Sequence, residues 1–270
     1  MSNPLKSLDN LELIAIVPAA GIGKRMLASC PKQYLKVDNQ TILSHTINRL
    51  LSHKNITKVI LALSDDDDYF TKTSLVNNPN VIRVSGGKER VDSVLSGLQV
   101  VDKTQWVLVH DAARPCVTHE DIDKLIEQCL ASNCGGILAA PVVDTMKLAT
   151  TSKINESNLS KTNVSETVER TRLWHAFTPQ MFKTKELKQA IEQAQVSGVV
   201  ITDESSAIEY VGLPSLLVSG RRDNIKITRP EDLVLADFYL KQQHLEQQKL
   251  KPKKLNQHNP AQQTPEQNKG

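Results

Sequence analysis

The chain has 270 residues, 39% hydrophobic and 23% charged, enough for one large α/β domain or two small ones whose core needs neither disulfides nor metals. Its formal charge of +3 arises at one end: from Lys241 onward there are six Lys and two Glu, leaving 27 basic and 28 acidic residues in the preceding 240. A nearly neutral globular part has no broad basic face for a nucleic-acid duplex, and no apolar run approaches the roughly 20 residues that span a bilayer.

In chain order, Leu13–Val17 is apolar on both faces and stops at Pro18, which predicts a buried strand. Asp9 and Glu12 precede it, so it does not read as a signal peptide. Val59–Leu63, Val81–Val84, Trp106–Val109 and Ile137–Ala140 repeat the pattern. Between them, 41–52, 93–101 and 122–130 space their apolar residues near 3.6, which predicts helices. This alternation predicts βαβ units in a mostly parallel sheet. Thr145–Thr171 breaks the pattern: it is polar, lacks Gly and Pro, and is too long to be a bare loop, which predicts structure of its own or a partner. The stretch from Lys241, with eight Gln and three Pro, predicts a disordered tail over 241–270. Cys30, Cys116, Cys129 and Cys134 form no C-x-x-C pair, as expected for free thiols in a reducing cytoplasm.

The chemistry concentrates after the first strand, in Val17-Pro18-Ala19-Ala20-Gly21-Ile22-Gly23-Lys24-Arg25-Met26 and then Cys30-Pro31-Lys32-Gln33-Tyr34. Small residues and the glycines Gly21 and Gly23 let backbone N–H groups approach a polyphosphate, and Arg25 and Lys32 add positive charge. Met26 stands where a dinucleotide fingerprint has its third glycine, and no G-K-[S/T] follows at P-loop spacing. The bare G-x-G reads equally as a tight strand-to-helix turn; Arg25 and Pro31-Lys32 favour phosphate. Asp111 and Arg114 follow the strand Trp106–Val109, at the carboxyl edge where an open parallel sheet binds ligands. They read equally as a turn ion pair capping the next helix. Ser93 has the same two readings, base contact or helix cap.

The opening P-A-A-G-x-G-x-R with P-K-Q resembles nucleotidyltransferases that join a polyol phosphate to a nucleotide. Further segments in the same order are Gly86–Val94, His110–Pro115, Ala140–Lys147, Trp174–Gln180, Thr202–Ser205 and Asn224–Thr228. Together they resemble the 2-C-methyl-D-erythritol 4-phosphate cytidylyltransferases of the non-mevalonate isoprenoid pathway, over about Leu11 to Leu240. The resemblance implies a Rossmann-like, mostly parallel sheet with helices on both faces, of nucleotide-diphospho-sugar transferase type, with a β-arm at about 142–171 for dimerisation. It implies transfer of a cytidylyl group from CTP to 2-C-methyl-D-erythritol 4-phosphate with release of pyrophosphate, with Mg²⁺ on the triphosphate.

The residues so implicated are Pro18, Ala19, Ala20, Gly21, Gly23, Gly87 and Ser93 for the nucleotide, with Asp111, Arg114 and Thr178 also lining the substrate pocket. Arg25 and Lys32 would stabilise the α-phosphate and departing pyrophosphate. Arg170 and Lys226 would hold the incoming phosphate, with Thr145 and Arg170 supplied by the neighbour in a homodimer. Composition alone leaves Arg170 and Arg172 equivalent, since both point to one side of an extended strand. Trp174 and His175 are expected to pack. A phosphate monoester is largely ionised at neutral pH, so no general base is required. The rivals at this stage are a cytidylyltransferase for another polyol phosphate such as ribitol 5-phosphate, a dehydrogenase, and a non-catalytic sugar-phosphate sensor.

Overall fold

The computed structural model of the chain describes residues 11–21, 30–103, 105–150 and 162–250. Seven strands form one sheet in the order β11-β7-β10-β6-β1-β4-β5: β1 is Leu13–Pro18, β4 Ile56–Leu63, β5 Val81–Ser85, β6 Trp106–Val109, β7 Gly136–Pro141, β10 Trp174–Lys183 and β11 Leu216–Ser219. From central β1 the chain builds outward through β4 and β5, all parallel, then returns to add β6 on the other side of β1. That reversal opens a crevice beyond the carboxyl ends of β1 and β6.

The five strands expected from the sequence all lie in this sheet, because side chains alternate between two buried faces. Leu13, Ala15 and Val17 pack with Leu43, Ile47 and Leu50 of α1 (Ile42–Leu51) and Ile122, Leu125 and Ile126 of α3 (His119–Ser132). Ile16, Val107 and Val109 point the other way, onto Val94 and Leu98 of α2 (Arg90–Leu98), Leu187 and Ile191 of α4 (Thr184–Val196) and Ile208 of α5 (Glu204–Tyr210). Thr41 caps α1 by accepting from the Ser44 N–H at 3.0 Å, and Thr118 caps α3 by accepting from Asp121 at 3.2 Å.

Strand β10 runs antiparallel to both β6 and β7, which the βαβ reading did not anticipate. Its Pro179 argues against a central strand, since it has no N–H for the ladder. The fold accommodates it: pairing with β7 is interrupted between Ala176 and Gln180, so Phe177, Thr178 and Pro179 lie in the irregularity. Thr178 is thereby turned toward the crevice side of the sheet.

Two further departures concern the periphery. The polar segment is a separate two-stranded sheet, β8 (Met146–Ala149) paired antiparallel with β9 (Val164–Val168), and most of its residues are exposed. A minor hairpin, β2 (Lys36–Val37) and β3 (Gln40–Thr41), precedes α1. The last helix, α6, runs Pro230–Leu250, so the expectation of disorder from Lys241 is corrected over 241–250. Gln243 explains the extension: it is buried, and its side-chain N–H groups donate to the Cys116 carbonyl at 2.8 Å and to Asp223 at 3.2 Å. A composition count discounts glutamine, yet one buried and saturated amide holds the helix down. The remainder of the expected tail, 251–270, lies outside the described residues.

Candidate active site

At the crevice, Pro18, Ala19, Ala20 and Gly21 leave the end of β1 and line a cavity of about 300 Å³ together with Lys32, Gly87, Ser93, Asp111 and Lys226. Nine residues singled out in the sequence thus meet at one place. Two more, Arg114 and Thr178, line an adjoining cavity of about 210 Å³ that shares Arg90, Asp111 and Lys226 with the first. Gly23 and Arg25 lie outside the described residues. Thr145 and Arg170 are exposed on the arm and line neither cavity; the Arg170 guanidinium donates to the Val143 carbonyl.

Each wall has a local cause. Buried Gln33 donates to the Ala19 carbonyl at 2.8 Å and fixes the backbone after β1, while Lys32 beside it donates to the Ile227 carbonyl at 3.0 Å. Gly87 must be glycine, because a Cβ there would stand 2.1 Å from the Asp92 Cβ. Its N–H donates to the Ser93 hydroxyl at 3.1 Å. Ser93 therefore lies inside α2 and holds the Gly87 loop; the helix cap is Glu89, whose N–H donates to Asp92 at 3.0 Å. The Asp111–Arg114 pair exists, with 3.5 Å between Nε and Oδ2, but α3 is capped by Thr118 instead.

Asp111 is the electrostatic centre. Arg90 Nε approaches its Oδ1 at 3.0 Å and Lys226 Nζ its Oδ2 at 2.8 Å. Burial by itself would raise the Asp111 carboxyl, but Arg90, Lys226 and Arg114 outweigh it and hold the group well below the usual carboxylate range. Arg90 is a residue that sequence reasoning missed. Its guanidinium also grips Glu204 bidentately, at 2.6 and 3.0 Å, joining the start of α2 to the start of α5. Burial opposes its charge, and the two carboxylates more than restore it. The signal was its place between Gly87 and Ser93; what was absent was any local sign of Glu204, 114 residues away. The two cavities are lined by Lys32, Lys88, Arg90, Arg114 and Lys226 against the carboxylates of Glu89, Asp111 and Asp203, a surplus of positive charge suited to a polyanion.

The two other aromatic candidates are not in the cavities. Trp174 packs half-buried against the core on the α2 and α4 side, whereas His175 is exposed and does not pack as expected. Among the described residues, no group of three or more His, Cys, Asp or Glu is arranged to hold a metal ion. No helix there is long and apolar enough to cross a membrane.

The family model of 2-C-methyl-D-erythritol 4-phosphate cytidylyltransferase, IspD, matches residues 13–242. The chain belongs to this family. The cytidylyltransferase of that name from Colwellia psychrerythraea is 60% identical over 237 residues, covering 87% of this chain and 97% of the relative. The one from Vibrio parahaemolyticus is 55% identical, covering 85% and 96%. Among solved structures, the Francisella tularensis family member superposes with a TM-score of 0.71 at 33% identity, over 84% of this chain and 99% of its own. An α/β nucleotidyltransferase fold, and a nucleotidyltransferase enzyme, are what family membership establishes.

Proposed function

We propose that the two adjoining cavities carry out the family's reaction, transfer of the cytidylyl group of CTP to 2-C-methyl-D-erythritol 4-phosphate with release of pyrophosphate, a step in isoprenoid precursor synthesis. The observation that carries the assignment is the cluster of cations around one buried carboxylate at the carboxyl ends of β1 and β6. In this reading CTP occupies the larger cavity. Its base lies against Gly87 and Ser93, its ribose and triphosphate run along Pro18–Gly21 and Gly23, and Arg25 and Lys32 meet the phosphates. The polyol phosphate occupies the smaller cavity, between Lys226, Arg114 and Thr178.

The chemistry asked of the protein is charge cancellation. A phosphate oxygen of the acceptor attacks the α-phosphorus in line while pyrophosphate leaves, so two anions meet and a third departs. Lys32 and Arg25 stabilise charge on the α-phosphate and leaving group; Lys226 and Arg170 align the incoming phosphate. One preorganised contact of this type is worth about 10²–10³ in rate. No general base is needed, because the attacking monoester is already ionised.

Both Asp111 oxygens are engaged by cations, and the cavity walls otherwise contribute few carboxylates, Glu89 in the larger and Asp203 in the smaller. That donor set fits a Mg²⁺ that would arrive on the triphosphate, with Asp111 the carboxylate that would help to hold it, and not a cation caged by protein. When bound, Mg²⁺ supplies neutralisation of triphosphate charge.

Dimerisation belongs to the same proposal. Among the described residues, the two strands of the arm pair with each other and leave Leu148 50% and Val164 60% exposed, with Val143 and Met146 also open. An isolated two-stranded hairpin is marginal in water, so a second arm packed on this one gives both a reason to be stable. Thr145 and Arg170 then complete the partner's smaller cavity. A coupled pyrophosphate assay tests the whole reading, with CTP, UTP and ATP against a panel of polyol phosphates. Activity is expected with CTP and methylerythritol phosphate. Preference for ribitol 5-phosphate would reassign the acceptor, and binding without pyrophosphate release would make the chain a sensor.

A further inference from the structure

His110 is fully buried between the end of β6 and Asp111, lines neither of the two adjoining cavities, and has no part in the charge cancellation described above. Both ring nitrogens are nevertheless engaged. Nε2 lies 3.0 Å from the Arg114 carbonyl oxygen, and Nδ1 lies 3.0 Å from the Thr178 hydroxyl. That hydroxyl in turn accepts from the Asp111 backbone N–H at 3.0 Å. A second pair of bonds closes the circuit: Arg114 donates to the Asn224 carbonyl at 2.7 Å, and the Asn224 amide donates to the Thr178 carbonyl at 2.8 Å. Three segments far apart in sequence meet in this ring, the turn after β6, the irregularity of β10, and the approach to α6.

The directions of the bonds follow from elementary chemistry. A carbonyl can only accept, so Nε2 carries the proton and donates to Arg114. Burial, only partly offset by the hydrogen bond to the Arg114 carbonyl and by Asp111 and reinforced by the cations Arg114 and Arg90, pushes the His110 imidazole down to about 4, so the ring is neutral at pH 7 and Nδ1 has a lone pair. The Thr178 proton therefore goes to Nδ1. One lone pair of its oxygen takes the Asp111 N–H, and only acceptor capacity remains. A charged imidazole would invert this, with Nδ1 donating to Thr178 and the hydroxyl proton released toward the cavity.

We propose that His110 is a positioning residue: as an uncharged Nε2–H imidazole it locks the Asp111–Arg114 turn onto β10 and presents Thr178 to the acceptor substrate as a hydrogen-bond acceptor. The chemical consequence is selective. Thr178 meets a hydroxyl donor of the polyol, and the phosphate is left to Lys226 and Arg114. This rests on the assignment of the smaller cavity to the polyol phosphate. The effect falls mainly on that substrate, because Arg114 and Thr178 line the smaller cavity and not the larger, whereas Asp111 lines both and is held besides by Arg90 and Lys226.

The test is steady-state kinetics of three variants of the full chain, with each substrate varied at saturating partner and at a temperature well below each variant's Tm. His110→Asn keeps an acceptor near Nδ1; His110→Gln keeps a donor near Nε2; His110→Leu keeps neither. For His110→Leu and His110→Gln, KM for the polyol phosphate is expected to rise about tenfold, the size of one lost buried hydrogen bond, with KM for CTP within about twofold. His110→Asn is expected to rescue most of that rise. A double mutant of His110→Gln with Thr178→Val should be little worse than Thr178→Val alone, because the two residues act through one bond. KM values that rise together, Asn no better than Gln, or additive losses would overturn the proposal. If His110→Leu does not fold, the Asn–Gln contrast and the double mutant decide. ¹⁵N NMR of the wild type adds an independent check: a protonated Nδ1 on His110 at neutral pH would also overturn it. Failure of the functional reading is distinct, since the wild type would then release no pyrophosphate from CTP with any polyol phosphate.

Discussion

The larger of the two adjoining cavities and the arm are built by opposite means. The cavity is made of backbone turns pinned to the core: Gln33 holds the turn after β1, Ser93 holds Gly87, and a bidentate Arg90–Glu204 pair ties two helix starts together. These groups are partnered inside the chain before any ligand arrives, which is what preorganised charge stabilisation requires. The arm has the converse construction. Its two strands pair with each other, the Arg170 guanidinium donates to the Val143 carbonyl, and apolar side chains face outward. Under the proposed reading the first region is complete within a single chain and the second depends on a neighbour, so a site drawing on both would join a pinned half to one that depends on association.

The largest expected effect probes the complete half. Lys32→Ala and Arg25→Ala should each lower turnover by about 10²-fold or more, with little change in Tm, since the lost interaction acts mainly on charge in the transition state. Near-normal kcat at saturating CTP would remove that residue from the mechanism.

The next effect breaks or sharpens the contrast itself. Arg170→Ala should be inactive alone, yet mixing it with inactive Lys32→Ala under subunit exchange should restore about one quarter of wild-type activity, because half of the dimers are mixed and each has one intact site. No recovery despite demonstrated exchange would mean that Arg170 serves its own chain. Weaker dimerisation of Arg170→Ala in sedimentation, without a catalytic defect, would give it a purely structural role.

A smaller effect lies in pH. His110 titrates near 6.5 when unfolded and is pushed down to about 4 when folded. Between these values the unfolded state binds the extra proton, so stability is full above the upper value and falls as pH drops toward the lower. The slope reaches at most about 1.4 kcal/mol per pH unit. Burial also lowers His53, which adds loss of the same sign. Asp111 is held below the ordinary carboxylate range, so its contribution persists through this window and is lost only at more acid pH. Chemical denaturation of His110→Asn between pH 4 and 7 should show a shallower acid-side loss than wild type. An unchanged slope would mean that His110 is not the buried neutral group assigned to it.

The smallest effect separates two parts of one predicted tail. Removing 241–270 should cost about 1–3 kcal/mol, because Arg49, which donates to the Gln243 side-chain Oε1 at 3.1 Å, and the Cys116 backbone carbonyl both lose their partner. Removing 251–270 should change Tm little, and a drop of several degrees would show that residues beyond α6 support the fold.

The sequence determined the parts of this protein that local burial writes into local pattern. Leu13–Val17, Trp106–Val109 and the other core strands are apolar on both faces because helices cover both, and that is legible without any partner in view. The turn after β1 and the Gly87 loop are legible for a related reason, since small residues answer a nearby steric demand. Tertiary structure alone decided the direction of β10, whose Pro179 is tolerated only because pairing with β7 is interrupted around it. It also decided that α6 continues past Lys241, through one buried amide, and that Arg90 and His110 belong to the site. Arg90 meets Glu204 across 114 residues and His110 meets Thr178 across 68. Such bonds repeat with no period and leave no composition signal, because a polar residue looks the same in sequence whether its partner is water or a distant side chain. Only burial distinguishes the two, and burial is a property of the folded chain.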